Sequence, residues 1–142
     1  MVPQRLSLVT LGVRDVAAAR QFYESLGWQV SSASMESIAF FPMAGSALTL
    51  FGWGALAEDA GVPPEGQGFR GVALALNLDN EADVDAAFAE WLAAGGSAIK
   101  HPVRASWGGY FGYVADLDGH LWELAHNPGF PILADGRLQL PA

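Results

Sequence analysis

Apolar and polar residues follow one scheme twice along the chain. A predicted strand over Leu8 to Val13 precedes an apolar stripe with helical spacing, and a predicted strand over residues 73–78 precedes a second such stripe. Asp15 and Asn80 stand where the two helices would begin, and both are typical N-cap residues. The stripes and their terminating glycines are Val16, Ala19, Phe22, Tyr23 and Leu26 before Gly27, and Val84, Ala87, Phe88, Trp91 and Leu92 before Gly95.

Three short strand candidates follow each predicted helix, so each half predicts a βαβββ module. The last two strands of each half are joined by a turn that contains glycine, and Leu117-Asp118-Gly119 is a strong hairpin signal. The candidates are residues 28–32, 37–41 and 47–51 in the first half, and residues 97–100, 110–115 and 120–125 in the second. The pattern predicts an α+β fold.

The same pattern predicts a single domain over residues 1–142. Module one spans about residues 5–52 and module two about residues 71–126. The segment 53–70 is rich in Gly, Pro and acidic residues, which predicts a linker or a lid. Residues 127–142 contain three prolines and continue neither module, so they are predicted to form a tail.

The composition favours a folded cytoplasmic protein. Hydrophobic residues make up 51% of the chain and charged residues 15%, so there is enough apolar material for a core. No apolar run approaches the roughly 20 residues that span a bilayer, and the start lacks the pattern of a signal peptide. The formal net charge of −8 disfavours nucleic-acid binding and permits a cationic partner. The absence of cysteine excludes disulfides and thiolate metal sites.

The first strand of each module has one bulky face and one face of small residues. Alternation places Ala73, Ala75 and Asn77 on the small face in module two, and Leu8, Thr10 and Gly12 on the matching face in module one. These residues either leave a cavity on a concave face or let the sheets pack closely. The sequence supports the two interpretations about equally.

The two modules also carry three motifs of a known superfamily. These motifs are Val13-Arg14-Asp15, Phe22-Tyr23-Glu24-Ser25-Leu26-Gly27 and Asp116-Leu117-Asp118-Gly119-His120-Leu121-Trp122-Glu123. Over about residues 5 to 126, the chain resembles the vicinal oxygen chelate superfamily, which includes glyoxalase I, extradiol dioxygenases, fosfomycin-inactivating enzymes and bleomycin-resistance binding proteins. The resemblance implies a curved mixed sheet with a concave ligand cavity and with helices on its outer face. It leaves the activity open because this scaffold hosts several chemistries.

The resemblance further implies where a metal would be held. Metalloenzymes of the superfamily use His, Gln or Glu at concave positions that correspond here to Leu8, Thr49, Ala73 and Glu123. Of these four only Glu123 is a good ligand, whereas a Lewis-acid site needs about three protein ligands. No cofactor is therefore expected, and a divalent ion (Zn, Fe, Mn or Ni) is the alternative.

If Glu123 faces an apolar cavity without a metal, its carboxylate must be paired or protonated. It would then bind a ligand ammonium, act as a general acid or base, or be solvated or hydrogen-bonded to Thr49 or Asn77 at the cavity mouth. His120 and His126 lie an odd number of residues from Glu123, so both are expected on the opposite face.

Aromatic residues are predicted to form the rest of the wall of the ligand site. Trp53 opens the segment between the modules, and Trp107 and Tyr110 belong to a run of rings and glycines that ends at Tyr113. Such rings stack on planar compounds or hold a cation. The predicted ligand-binding residues are Thr10, Thr49, Trp53, Asn77, Trp107, Tyr110 and Glu123.

We interpret the chain as a binding protein without a metal that sequesters a small aromatic compound, cationic or neutral, as antibiotic-resistance members of the superfamily do. The resemblance also implies a homodimer, and Phe130 and Ile132 of the tail either cross to the partner or pack on their own domain. The alternative is an enzyme of the superfamily, a lyase, isomerase or dioxygenase that uses a metal or Glu123. A further possibility is a filled cavity in a protein that acts through its dimer surface.

Overall fold

The computed structural model describes all 142 residues, and the chain divides into two compact units, Met1–Gly68 and Phe69–Ala142. Seven strands form two mixed sheets, one in each unit, and three helices accompany them. This content confirms the predicted α+β class. None of the three helices is long and apolar enough to cross a membrane.

The first unit is a three-stranded sheet with two helices. Its elements are β1 (Leu8–Val13), α1 (Val16–Ser25), β2 (Ile38–Pro42), β3 (Ala47–Gly52) and α2 (Trp53–Ala60). Strand β3 is central, parallel to β1 and antiparallel to β2. Asp15 caps α1 as predicted, because its carboxylate accepts a hydrogen bond from the Ala18 N–H at 3.1 Å. Helix α1 covers one face of the sheet, where the rings of Tyr23 and Phe41 lie 6.0 Å apart.

The strand predicted at residues 28–32 does not form, so the first unit has the order βαββα. Serine hydroxyls take hydrogen bonds that a strand ladder would use. Ser31 Oγ accepts from the Ala33 N–H at 3.1 Å, and Ser34 Oγ accepts from the Phe40 N–H at 2.9 Å. Serine side chains compete with regular backbone pairing in this way.

Helix α2 occupies the first part of the segment predicted as a linker or lid. Its interior run Ala55-Leu56-Ala57-Glu58 consists of strong helix formers. Gly61 ends the helix in the left-handed conformation, with φ of 71°. The glycines and prolines that suggested a linker lie mostly beyond this cap, where residues 61–70 form no helix or strand.

The second unit is the predicted βαβββ module with the tail. Its elements are β4 (Leu74–Asn77), α3 (Glu81–Ala93), β5 (Ser97–Arg104), β6 (Tyr110–Ala115) and β7 (Leu121–His126). The strand order is β4-β7-β6-β5, with only the β4 and β7 pair parallel. Asn80 caps α3 as predicted by accepting from the Asp83 N–H at 2.8 Å. Helix α3 covers one face of this sheet, because Trp91 contacts the Trp122 ring and donates its indole N–H to the Ala115 carbonyl at 2.8 Å.

Candidate functional site

A cavity of about 370 Å³ lies on the face of the second unit's sheet that is opposite to α3. Trp122 of β7 points toward α3, so its neighbour Glu123 points away from that helix and into the cavity. The volume falls within the range of about 300–1,000 Å³ that is usual for small-molecule sites. The lining residues are Ala75, Asn77, Trp107, Glu123, Ala125, Asn127, Phe130 and Leu138.

Small residues on the two sheets leave space for a cavity in the second unit and let a helix pack closely in the first unit. In the second unit, Ala75 lies opposite Glu123 and Ala125 lies opposite Asn77, and both alanines line the cavity. In the first unit, a Cβ atom added to Gly12 would lie 3.3 Å from the Trp53 Cα, so the glycine lets α2 approach β1. The small residues thus border a cavity in the second unit, whereas the glycine in the first unit admits a helix and not a second sheet.

Glu123 is held by one strong hydrogen bond. The Tyr113 hydroxyl donates to Glu123 Oε2 at 2.6 Å, and the two residues are direct partners on β6 and β7. Glu123 Oε1 accepts no hydrogen bond from the protein. The hydrogen bond to Glu123, followed by burial and the negative charge, raises the pKa of Tyr113 above its ordinary value of about 10. The phenol therefore stays protonated at neutral pH and fixes the position of Glu123 Oε2, while Oε1 is free to accept from a ligand.

A row of aromatic rings leads from the cavity wall to this pair. Trp107 stacks on Phe111 with ring centroids 6.0 Å apart, and Phe111 meets Tyr113 edge to face at 6.1 Å. The Lys100 ammonium lies 4.5 Å from the centroid of the Phe111 ring and forms no ion pair with Glu123. This face of the sheet thus already holds one cation against an aromatic ring.

The tail completes the cavity wall. Asn127 Oδ1 accepts from the Gly129 N–H at 2.9 Å, and the Asn127 carbonyl accepts from the Phe130 N–H at 3.0 Å, which forms a tight turn. Beyond it, an antiparallel bridge joins Ile132 to Leu138. Phe130 and Leu138 line the cavity, so the tail packs on its own unit. The homodimer stays a prediction.

Three of the seven predicted ligand residues, Asn77, Trp107 and Glu123, come together at this cavity. The Asn77 side chain makes no hydrogen bond within the chain and is available to a ligand. Tyr110 does not line the cavity, and its hydroxyl donates to Asp85 of α3 at 2.7 Å.

The other three predicted residues belong to the first unit. Thr10 and Thr49 are register partners on β1 and β3. The Thr49 side chain is only 1% exposed, and its hydroxyl has no hydrogen-bond partner in the protein. Trp53 begins α2 and donates its indole N–H to the Pro64 carbonyl at 2.9 Å. A role for these residues in ligand binding stays a prediction.

Sequence reasoning missed Tyr113 and Phe130. Thr49 and Asn77 were considered as hydrogen-bond partners of Glu123, although the position of the hairpin turn indicates a different partner. Tyr113 and Glu123 are each five residues from Asp118 at the centre of the turn, which is the spacing of cross-strand partners in the observed register. Nothing in the local pattern of the tail places Phe130 at a cavity.

The side chains present do not fit a resident divalent metal. The chain has no group of three or more His, Cys, Asp or Glu residues that could hold one. Glu123 is the only ionisable residue that lines the cavity, whereas zinc sites need about three protein ligands. His126 Nδ1 instead lies 3.1 Å from the Leu78 carbonyl. That the protein works without a metal stays a prediction.

Comparisons with known proteins identify the family of this fold. A family model described as the Glyoxalase/Bleomycin resistance protein/Dioxygenase superfamily matches residues 5–124. A glyoxalase-related enzyme from Fulvimarina pelagi is 37% identical with a TM-score of 0.89, over 99% of this chain and 100% of that one. A glyoxalase/bleomycin resistance protein/dioxygenase from Nocardioides is 26% identical with a TM-score of 0.72, over 89% and 85% of the two chains.

A lactoylglutathione lyase from Agrobacterium tumefaciens shares the fold at 24% identity, with a TM-score of 0.66 over 89% of this chain and 96% of that one. No curated protein matches the chain. The model match and the fold agree with the resemblance found in the motifs. The chain therefore belongs to the glyoxalase/bleomycin resistance protein/dioxygenase superfamily.

Proposed function

We propose that the chain binds and sequesters a small, positively charged aromatic compound in the cavity of its second unit. The observation that carries this proposal is a single carboxylate with one free oxygen in an otherwise uncharged cavity with aromatic walls. The family name includes bleomycin resistance, which gives the sequestration of a drug-like ligand a precedent in related proteins.

The chemistry of the wall supports a ligand that is apolar over most of its surface and cationic at one end. Trp107, Phe130 and Leu138 offer apolar contacts to a planar ring. A ligand ammonium would pair with Glu123 Oε1, and charge-assisted hydrogen bonds are stronger than neutral ones. The net charge of −8 also favours a cation over an anion.

A titration with matched ligands tests the proposal. Calorimetry would compare 2-naphthylmethylamine, which is cationic at neutral pH, with the uncharged 2-naphthylmethanol. In Glu123→Gln, the affinity for the amine should fall by about 10- to 100-fold, since a hydrogen bond to a charged group contributes about 1.5–3 kcal/mol. The affinity for the alcohol should stay unchanged. A bleomycin titration extends the test to a drug-sized ligand.

Glu90→Gln is the matched control, because it removes the same charge from an exposed site on α3, on the other side of the sheet. It should leave the affinity for both ligands unchanged. The proposal is overturned if the unaltered protein shows no saturable binding of any of these compounds. An equal loss of amine and alcohol affinity in Glu123→Gln would also contradict it.

An enzyme is the second candidate, favoured by the 37% identity to a glyoxalase-related enzyme over almost the whole chain. In that case Glu123, with Oε1 free, would serve as a general base for a substrate in the same cavity. Metal analysis of protein purified without chelator separates the two candidates. A stoichiometric divalent ion would favour an enzyme over a binding protein.

A further inference from the structure

We infer that Tyr113 makes the cavity selective for an ammonium group over an amidinium or guanidinium group. The inference rests on the proposed function, because it names the class of cation that the same cavity accepts. Tyr113 does this through the hydrogen bond from its hydroxyl to Glu123, which takes one lone pair of Oε2 and places the phenol oxygen 2.6 Å from it.

The two classes of cation need different acceptors. An amidinium or guanidinium is a planar fork that binds a carboxylate through two parallel N–H···O bonds, one to each oxygen. An ammonium is a compact charge that needs only one oxygen. Tyr113 at 2.6 Å takes one of the two lone pairs of Oε2, whereas both lone pairs of Oε1 are free, so an ammonium binds Oε1 without competition and a fork has to share Oε2 with the phenol.

The fold holds Tyr113 in this role. Its backbone is paired directly with that of Glu123 across β6 and β7, so the two side chains share one face of the sheet. The Phe111 ring packs edge to face against the Tyr113 ring at 6.1 Å. A planar cation that displaced the phenol would leave a partly buried hydroxyl without its partner, which costs free energy.

Asn77 adds to the preference for an ammonium. It lines the same cavity, and its amide oxygen has no hydrogen-bond partner within the chain. The three N–H donors of an ammonium point in different directions, so they reach acceptors on separate residues. Two of the four coplanar N–H groups of an amidinium point in parallel and are suited to a single carboxylate.

Two ligands with the same ring system test the inference. The affinity of 2-naphthylmethylamine would be compared with that of naphthalene-2-carboxamidine, and both are cations at neutral pH. We expect the unaltered protein to bind the amine at least about tenfold more tightly. In Tyr113→Phe, the phenol no longer competes for Oε2, so the affinity for the amidine should rise about tenfold relative to the affinity for the amine. The uncharged 2-naphthylmethanol reports whether the cavity itself is intact in the variant.

The outcomes separate the inference from the proposed function. If neither cation binds the unaltered protein better than the alcohol, the proposed function fails. If both cations bind equally well and Tyr113→Phe leaves their ratio unchanged, the inference is overturned while the proposed function stands. The ratio in the unaltered protein tests the inference even if Tyr113→Phe does not fold.

Discussion

Tyr113 holds its proton more tightly in the folded chain than in the unfolded one, because its hydroxyl donates to Glu123. Its folded-state pKa is therefore above the value of about 10 of a free phenol. The resulting stability is fully present below about pH 10 and is lost as the pH rises through the folded-state pKa. We expect the stability advantage of the unaltered protein over Tyr113→Phe to shrink above about pH 10, so that it is smaller at about pH 11 than at about pH 8. Urea denaturation at each pH measures this difference.

Glu123→Gln provides the control for this pH dependence. A neutral amide does not oppose ionisation of the phenol through charge, so in this background the effect of Tyr113→Phe should depend less on pH. The pH dependence does not come from the hydrogen bond between Tyr113 and Glu123 if the unaltered protein and Tyr113→Phe differ in stability by the same amount at about pH 8 and about pH 11.

The packing of α3 on its sheet depends on Gly96, which joins the helix to β5. A Cβ atom at this position would lie 2.3 Å from Trp91 Cδ1 and 2.7 Å from the Ala115 carbonyl oxygen. Trp91 cannot move easily, because its indole N–H donates to that same carbonyl. We expect Gly96→Ala to lower the free energy of unfolding by about 2–3 kcal/mol, as overpacking a core does. Thermal or urea denaturation measures the loss.

Gly54→Ala is the matched glycine control. Gly54 lies inside α2, with no atom within 4 Å of an added Cβ. Alanine is the better helix former, so this variant should be more stable by up to about 1 kcal/mol. Equal stability of Gly96→Ala and the unaltered protein would show that the contact with Trp91 is less tight than the structure indicates.

The elements that the sequence predicted well are those specified by local signals. Asp15 and Asn80 cap the two predicted helices because capping needs only a side chain and the backbone three residues on. The strand expected at residues 28–32 failed because Ser31 and Ser34 bond to the backbone themselves. Helix α2 was missed because glycines and prolines beyond its end outweighed a short run of helix formers within it.

The sequence pointed to two cavity residues through different signals. Period-two alternation placed Asn77 on the face of small residues, and the hairpin motif of the superfamily singled out Glu123. Strand alternation is not enough to predict Tyr113 and Phe130. The place of Tyr113 depends on the register across a hairpin, and that of Phe130 depends on a tail that folds back over the sheet. These are non-local arrangements that packing specifies, which a reading of local pattern does not supply.

The charge of the whole molecule predicts how a cationic ligand arrives. Fifteen acidic and seven basic residues give a formal charge of −8, which attracts a cation over distances set by the Debye length. That length falls from about 30 Å at 0.01 M salt to about 8 Å at 0.15 M. We expect the association rate of 2-naphthylmethylamine, measured by stopped-flow tryptophan fluorescence, to fall roughly three- to tenfold over this range. The rate for 2-naphthylmethanol should stay constant.

Glu123→Gln distinguishes this long-range attraction from the local ion pair. The variant removes one of fifteen acidic residues, so most of the salt dependence of the association rate should remain. The affinity lost on removing the local carboxylate should instead appear as faster dissociation, because short-range contacts act mainly after encounter. If Glu123→Gln abolished the salt dependence, the attraction would come from this one carboxylate and not from the charge of the molecule. Identical salt dependence for the amine and the alcohol would contradict electrostatic steering altogether.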